Sequence, residues 1–307
     1  MTSPRADLTP HMEHYTFFLE DQPYIGFFQY GDERTPVYHT DRHGFRITHG
    51  AAGGRASVAG ERPPGPVRLL AGSSAVFGVG ATGDPATISS RLWSRYAPYR
   101  PWLNFAGQSI NSVQELLLFS LFGHLLPDVE EIVVFSGVNN LVLSRLPAEQ
   151  QGRHGAFFDC GPAPDAAAVP SPRDRVAHAT ELTARHLATW HVLAKGLGAS
   201  LSFVLQPLAP WVREEPAPQE KLLFDELDDA SNFRRLHNDI ADREIGRLYA
   251  DSLRTRCEEM NISFLDMNQA LAEVVAPTDW LFVDRVHLLD PGYDLVARLM
   301  TEHLDLT

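Results

Sequence analysis

Cysteine is nearly absent: Cys160 and Cys257 are the only two, far apart, with no CxxC pair and no Cys/His spacing that would ligate a metal. A disulfide framework and a zinc site are therefore excluded, and two free thiols in a reducing compartment are expected. Basic clusters are missing too. Lys and Arg number 26 against 39 Asp and Glu, a formal charge of -13, which argues against nucleic acid or an anionic membrane as partner. No apolar run reaches membrane-spanning length, and the opening MTSPRADLTPHMEHYTFF lacks a basic region followed by an apolar one. A soluble, cytoplasmic protein is expected. No lysine follows the glycines of Gly78 to Gly83, so a phosphate-binding P-loop is excluded. Those glycines do satisfy G-x-G-x-x-G. They begin six residues after the glycine that ends the preceding strand, however, with no acidic residue about twenty positions on, so no dinucleotide cofactor is expected.

What is present suits one large globular core: 307 residues, 44% hydrophobic and 21% charged. Residues 1–65 are rich in aromatics, histidine and turn formers and close in GAAGGRASVAGERPPG. They read as a decorating segment, with short strands in YIGFFQYG and PVYHT, a turn at Asp41 to Phe45, and packing on the core through Tyr24, Phe27, Phe28, Tyr30 and Phe45. From Pro66 strands alternate with helices. PVRLLAG, WLNFAG, EEIVVFSG, SLSFVLQP and ISFLDM are apolar runs bounded by turn formers. Between them lie helices through ATISSRLWSRY, NSVQELLLFSLFGHLL (capped by Asn111 or Ser112), RDRVAHATELTARHLATWHVLAKGLG and SNFRRLHNDIADREIGRLYADSLRTRCEEM, with PGYDLVARLMTEHL closing the chain. This alternation predicts a five-stranded parallel sheet covered on both faces. Two long connections, 146–173 and 207–230, follow strand ends and are read as lid-like insertions.

In such sheets ligands bind beyond the carboxyl ends of the strands. There the first strand ends in Gly72-Ser73-Ser74, the second in Asn104 to Gly107, the third in Gly137 to Asn140 and the fourth in Gln206-Pro207. A serine at a strand-to-helix turn stands near backbone N–H groups and the positive helix end, where acyl chemistry places its nucleophile. It needs a base and a partner for the base. Asp284 and His287, three apart in FVDRVHLLDPGY, can form that pair, the carboxylate turning back to Nδ1 while Nε2 stays free. Alone, D-x-x-H is two loop residues and Asn139 a turn former; in combination they propose a base and an oxyanion donor. Each oxyanion donor is worth about 2.7 to 4 kcal/mol of barrier. The donors expected are the Ser74 N–H, a backbone N–H from Phe105 to Ser109, and the Asn139 side-chain amide. His186 and His191, i and i+5 on one helix, splay apart with no acidic companion and are read as solvated or packed; no metal is expected.

Four stretches in order, GSSAVFG, LNFAGQSINSVQEL, SGVNN and DRVHLLDPGY, resemble the four blocks of the SGNH, or GDSL, hydrolase superfamily across about residues 66–304. The resemblance implies a three-layer α/β/α, flavodoxin-like fold in a catalytic domain over 66–307. It also implies a Ser74–His287–Asp284 triad, and hydrolysis or transfer of an acyl group from an ester or thioester of a small molecule, carrier-bound thioesters included. Its frame selects Ser74 as nucleophile and leaves Ser73 in place of the family's usual aspartate; Asn140 likewise replaces an aspartate. Aligned without gaps, the family's oxyanion glycine falls on Ser109, while Gly107 lies two residues earlier. GVGATG then reads as the start of the helix behind the nucleophile. The wording of GVGATG and LNFAGQSINSVQELLLF also resembles, weakly, a phenazine-inducer-like subgroup found with secondary-metabolite genes. A non-catalytic binding or regulatory protein that keeps the same pocket is the alternative.

Overall fold

The computed structural model describes residues 3–15, 19–22, 24–146, 170–230 and 237–306. Its centre is a parallel sheet of β1 (Val67–Gly72), β2 (Trp102–Ala106), β3 (Val129–Ser136), β4 (Ser200–Leu205) and β5 (Ser263–Asp266), in the order β2-β1-β3-β4-β5. Every residue of β1 and β2 is buried, as expected for strands that carry apolar side chains to both faces. The short β5 is an edge strand and half-exposed. Chain direction across the sheet reverses between β1 and β3, so a crevice opens at their carboxyl ends.

Helices fill both faces. On one, α4 (Pro172–Leu197) packs against α2 (Ser112–Phe122), α3 (Val138–Leu143) and α6 (Arg243–Glu259); on the other, α8 (Asp290–Leu304) packs on Ile88–Tyr96 and on α7 (Met267–Ala272). This is the expected three-layer α/β/α arrangement, with the 2-1-3-4-5 strand order of flavodoxin-like sheets. Helix starts follow side-chain chemistry. Asn111 caps α2, accepting from Val113 and Gln114 N–H while the Gln114 side chain accepts the Asn111 N–H at 3.0 Å, a full capping box. Ser171 caps α4, and Gly198, in the left-handed region, ends it.

Two expectations need correction and one is refined. The helix that begins at Ser74 is a single turn, α1 (Ser74–Phe77), and GVGATG is the loop after it, with Gly78 at φ 91° and Gly80 at φ 102°. Glycines at positive φ end helices instead of beginning them. The apolar pattern of ATISSRLWSRY holds as an α-turn, Ile88–Arg91, that continues as a π-turn, Leu92–Tyr96. Residues 207–230 are not an open connection: they contain the turn Ala209–Val212 and the helix α5 (Pro218–Ala230). Of the other insertion, residues 147–169, and with them Cys160, lie outside the described residues, as do 231–236 of the predicted long helix; the rest of it is a helical turn, Asn238–Ile240, followed by α6, which Asp242 caps. Cys257 is a buried free thiol whose pKa is pushed up to about 12 by burial, so it is unreactive.

The first 65 residues form two antiparallel ribbons, Leu19–Gln22 with Gly26–Gln29 and Thr48–His49 with Arg55–Ala56. PVYHT contributes only isolated bridges, and Asp41 to Phe45 makes the expected turn. Phe45 stacks on Phe105 of β2 with ring centroids 5.1 Å apart, and Phe28 meets Phe45 edge-on. Tyr24 and Tyr30 were expected in this contact but are 76% and 43% exposed. The side chain of Phe27 lies outside the described residues.

Candidate active site

Gly72 makes the turn into α1 possible. A Cβ there would sit 2.3 Å from the Phe135 carbonyl oxygen and 2.6 Å from a Val76 methyl, closer than any side chain tolerates. The backbone therefore folds back tightly at the end of β1 and delivers Ser74, half-buried, as the first residue of α1. Its Oγ lies 2.8 Å from His287 Nε2. His287 Nδ1 in turn lies 2.7 Å from Asp284 Oδ2. The other Asp284 oxygen accepts the N–H groups of Val286 and His287 at 2.8 and 2.7 Å. One oxygen thus curls the loop and the other holds the imidazole, which is the physical content of the D-x-x-H spacing. Burial pushes the Asp284 carboxyl up, yet the His287 ring and these backbone donors outweigh it and hold the group below its usual range. An ionised carboxylate on Nδ1 keeps the proton there, leaving the Nε2 lone pair to accept from the Ser74 hydroxyl.

The loop bearing this pair is bolted to the 207–230 segment. Glu220, wholly buried, accepts the N–H groups of Leu281 and Phe282 through Oε1, at 2.9 and 3.0 Å; its Oε2 accepts from Arg213 and the Ala217 N–H. Asp228 pairs with both terminal nitrogens of Arg285, which lies between Asp284 and Val286. The Ala209 N–H donates to the Arg285 carbonyl at 2.8 Å. What the sequence suggested as a lid is tied to the histidine loop. Glu220 and Asp228 escape sequence reading because they sit in an acidic stretch that looks like solvated surface.

The oxyanion candidates part ways. Ser109 is at φ +56°, a left-handed conformation in which glycine is the least strained residue, and it is the position the resemblance aligns with the oxyanion glycine. Gly107 is a glycine for another reason: a Cβ there would lie 2.7 Å from the ring of Phe28, so it accommodates the N-terminal ribbon. Asn139 is buried at the start of α3, but both hydrogens of its amide are engaged, by Ser73 Oγ at 2.9 Å and the Ile110 carbonyl at 2.6 Å. Expected as an oxyanion donor, it ties the end of β3 to both flanking loops through these two bonds. Ser73, at the position the resemblance aligns with an aspartate, is an acceptor for Asn139. Asn140 faces away, donating to Ser112 and Thr183. Ser112 also meets Nδ1 of His186, whose pKa burial drives down to about 4, so His186 is a neutral packed imidazole. His191 is half-buried on the same helix.

One carboxyl beside the capping box has surroundings that the sequence does not reveal. Glu115, buried in α2, accepts from Ser136 Oγ at 2.7 Å, and burial raises its pKa to about 7. Its place in an apolar helical run, LLLF following, gave no sign of this environment.

Sheet order, crevice and the hydrogen-bonded chain from Ser74 to Asp284 define a doubly wound α/β/α protein with a serine, a histidine and a carboxylate linked in series at its switch point. No family model matches the chain and no curated protein matches it. Solved structures similar to it include a member of the lipolytic G-D-S-L family from Veillonella parvula (12% identity, 78% of this chain and 97% of that one, TM-score 0.49). Others are a carbohydrate acetylesterase from Sinorhizobium meliloti (10%, 78% and 99%, TM-score 0.49) and a lipase/acylhydrolase from Enterococcus faecalis (15%, 78% and 95%, TM-score 0.45). Among the described residues no helix is long and apolar enough to cross a membrane.

Proposed function

We propose that the chain is a serine acyl hydrolase or acyltransferase of the SGNH type, acting on an ester or thioester of a small molecule, free or carrier-bound, in cytoplasmic and secondary metabolism. The observation that carries this reading is the continuous chain Ser74 Oγ, His287 Nε2, His287 Nδ1, Asp284 Oδ2, with links of 2.8 and 2.7 Å. In it Ser74 Oγ attacks the acyl carbon as its proton passes to His287 Nε2. The oxyanion that forms is met by the Ser74 N–H, a backbone N–H of the Gly107 to Ser109 loop, and Asn139 once its amide exchanges the Ser73 hydroxyl for the new charge. Collapse breaks the bond to the alkoxide or thiolate, which takes the proton from Nε2, and leaves acyl-Ser74. Water, or an acceptor hydroxyl or amine, then attacks the acyl carbon as His287 Nε2 takes its proton, and the second collapse breaks the bond to Ser74 Oγ, which regains a proton from Nε2 as the acid, ester or amide leaves. Asp284 stays ionised and stabilises the imidazolium. Residues 1–65 are read as an extension of the catalytic unit over 66–307. A binding protein that merely retained the pocket has no need of a serine within hydrogen-bond reach of the histidine.

Turnover of a panel of short acyl p-nitrophenyl esters and acyl thioesters tests the proposal. Wild type is expected to cleave members of the panel, and Ser74→Ala to lose about 10^4-fold or more in kcat. A wild type inert to every ester and thioester offered, with or without added acceptor, contradicts it.

A further inference from the structure

One helical turn cannot hold itself together, because nucleation fixes several dihedrals for a single hydrogen bond. The turn that presents Ser74 is of this kind. Within it the Ser74 carbonyl accepts the Gly78 and Val79 N–H groups at 2.9 and 3.0 Å, and the chain then enters the Gly78 to Gly83 loop. The five carbonyls from Phe77 to Ala81 accept from side chains outside it. Arg46 Nη1 donates to Phe77 O at 3.0 Å and Gly78 O at 2.9 Å. The Tyr15 hydroxyl lies 2.9 Å from Gly78 O and 2.6 Å from Ala81 O. Tyr293 OH donates to Val79 O and His11 Nε2 to Gly80 O.

Arg46 is wholly buried between the rings of Tyr15, Tyr38 and Phe77. Its Nε donates to Asp84 Oδ1 at 2.8 Å, and Nη2 to the Val37 carbonyl. Asp84, itself buried, is held by His39 through both the ring Nδ1 and the backbone N–H. A guanidinium this deep is costly unless every donor is used. Each of its three nitrogens has an acceptor here, and two of them, Nε and Nη1, tie the N-terminal segment to the chain that follows Ser74. Arg46 escapes sequence reading because it follows an aromatic turn with no recognisable periodicity.

We infer that Arg46, with Tyr15, is a positioning residue for Ser74, closing the carboxyl end of the one-turn helix so that its hydroxyl stays aligned with His287. The inference rests on Ser74 being the nucleophile. A planar fork is what the position requires; lysine would keep the charge and could not reach Asp84 and two carbonyls together.

Two variants and two readouts test it: Arg46→Lys, and Tyr15→Phe, which removes only the hydroxyl and leaves no charge unpaired. The first readout is the limiting rate of phosphonylation by a fluorophosphonate at saturation, kinact, against the half-saturating concentration. Arg46→Lys is expected to lower kinact about 10- to 100-fold and Tyr15→Phe about fivefold, the worth of one hydrogen bond, with half-saturation unchanged. The second is hydrogen exchange of the peptide spanning 74–82, expected to quicken in both variants while that of β1 does not. Folded variants that phosphonylate at the wild-type kinact, or that exchange 74–82 at the wild-type rate, overturn the inference. A wild type that is not phosphonylated removes the enzyme reading instead, and the exchange measurement then decides the clamp by itself.

Discussion

Two buried carboxyls, Asp284 and Glu115, are driven in opposite directions by their surroundings, and the difference is measurable. Asp284 is depressed by His287 and two backbone donors despite burial. It therefore stabilises the fold at neutral pH, and that stability disappears as the pH falls through its folded-state value, below the ordinary 3.8. Glu115 has one neutral donor, Ser136, and burial dominates, so its pKa rises from 4.5 to about 7. Its protonated form suits the fold: stability is full below pH 4.5 and is lost as the pH rises through about 7, by about 3 kcal/mol if the whole shift is expressed. Urea midpoints measured from pH 4 to 8 are expected to decline for wild type across that window and to flatten for Glu115→Gln. Asp284→Asn should lose about 10^4-fold in kcat, because an amide oxygen or nitrogen at Nδ1 no longer fixes one tautomer. Ser73 belongs to the support of Asn139, so Ser73→Ala is expected to keep fluorophosphonate labelling that Ser74→Ala abolishes.

Among the elements, those legible in the sequence were the ones whose environment imposes a pattern. The central strands are unbroken apolar runs because both faces are covered, and the D-x-x-H loop is readable because one carboxylate must serve both backbone and ring. Elements set by tertiary contacts were not legible. GVGATG looks helical or phosphate-binding, yet Gly80 exists to let Leu288 O approach to 2.3 Å of where a Cβ would be. The acidic 214–229 run hides Glu220 and Asp228, which grip the histidine loop. Glu220→Gln keeps the shape but weakens acceptance from Arg213 and two loop N–H groups, leaving that arginine short of a charge partner. It is expected to lower the thermal midpoint and to reduce kcat more than KM shifts, read by calorimetry and steady-state kinetics. Ser109 carries a conformation that suits glycine. Ser109→Gly is expected to leave esterase activity intact and, by relieving strain of about 1 kcal/mol, to offset the flexibility glycine adds to the unfolded chain, so the melting temperature moves little. Ser109→Val should lower it clearly.

At the scale of the whole molecule, the first 65 residues are structural partners of the site. Phe28 and Phe45 continue the aromatic core into Phe105, and Gln114, a member of the α2 capping box, donates to the Ile25 carbonyl. Burying each of those rings is worth about 1.5 to 3 kcal/mol, and Asp84 depends on Arg46 for its countercharge. A chain starting at Pro66 is accordingly expected to lose cooperative thermal unfolding. Sequence reading located this segment without its role, since Tyr24 and Tyr30, its most conspicuous aromatics, face outward and the buried arginine that matters has no pattern around it. Everything said of the chemistry converges on a single oxygen atom, Ser74 Oγ. Its most direct test is peptide-level mass spectrometry of the protein after treatment with a fluorophosphonate. A single phosphonyl adduct on Ser74, absent in Ser74→Ala and strongly reduced in His287→Ala, is the predicted result; no adduct, or an adduct on Ser73, would contradict the account.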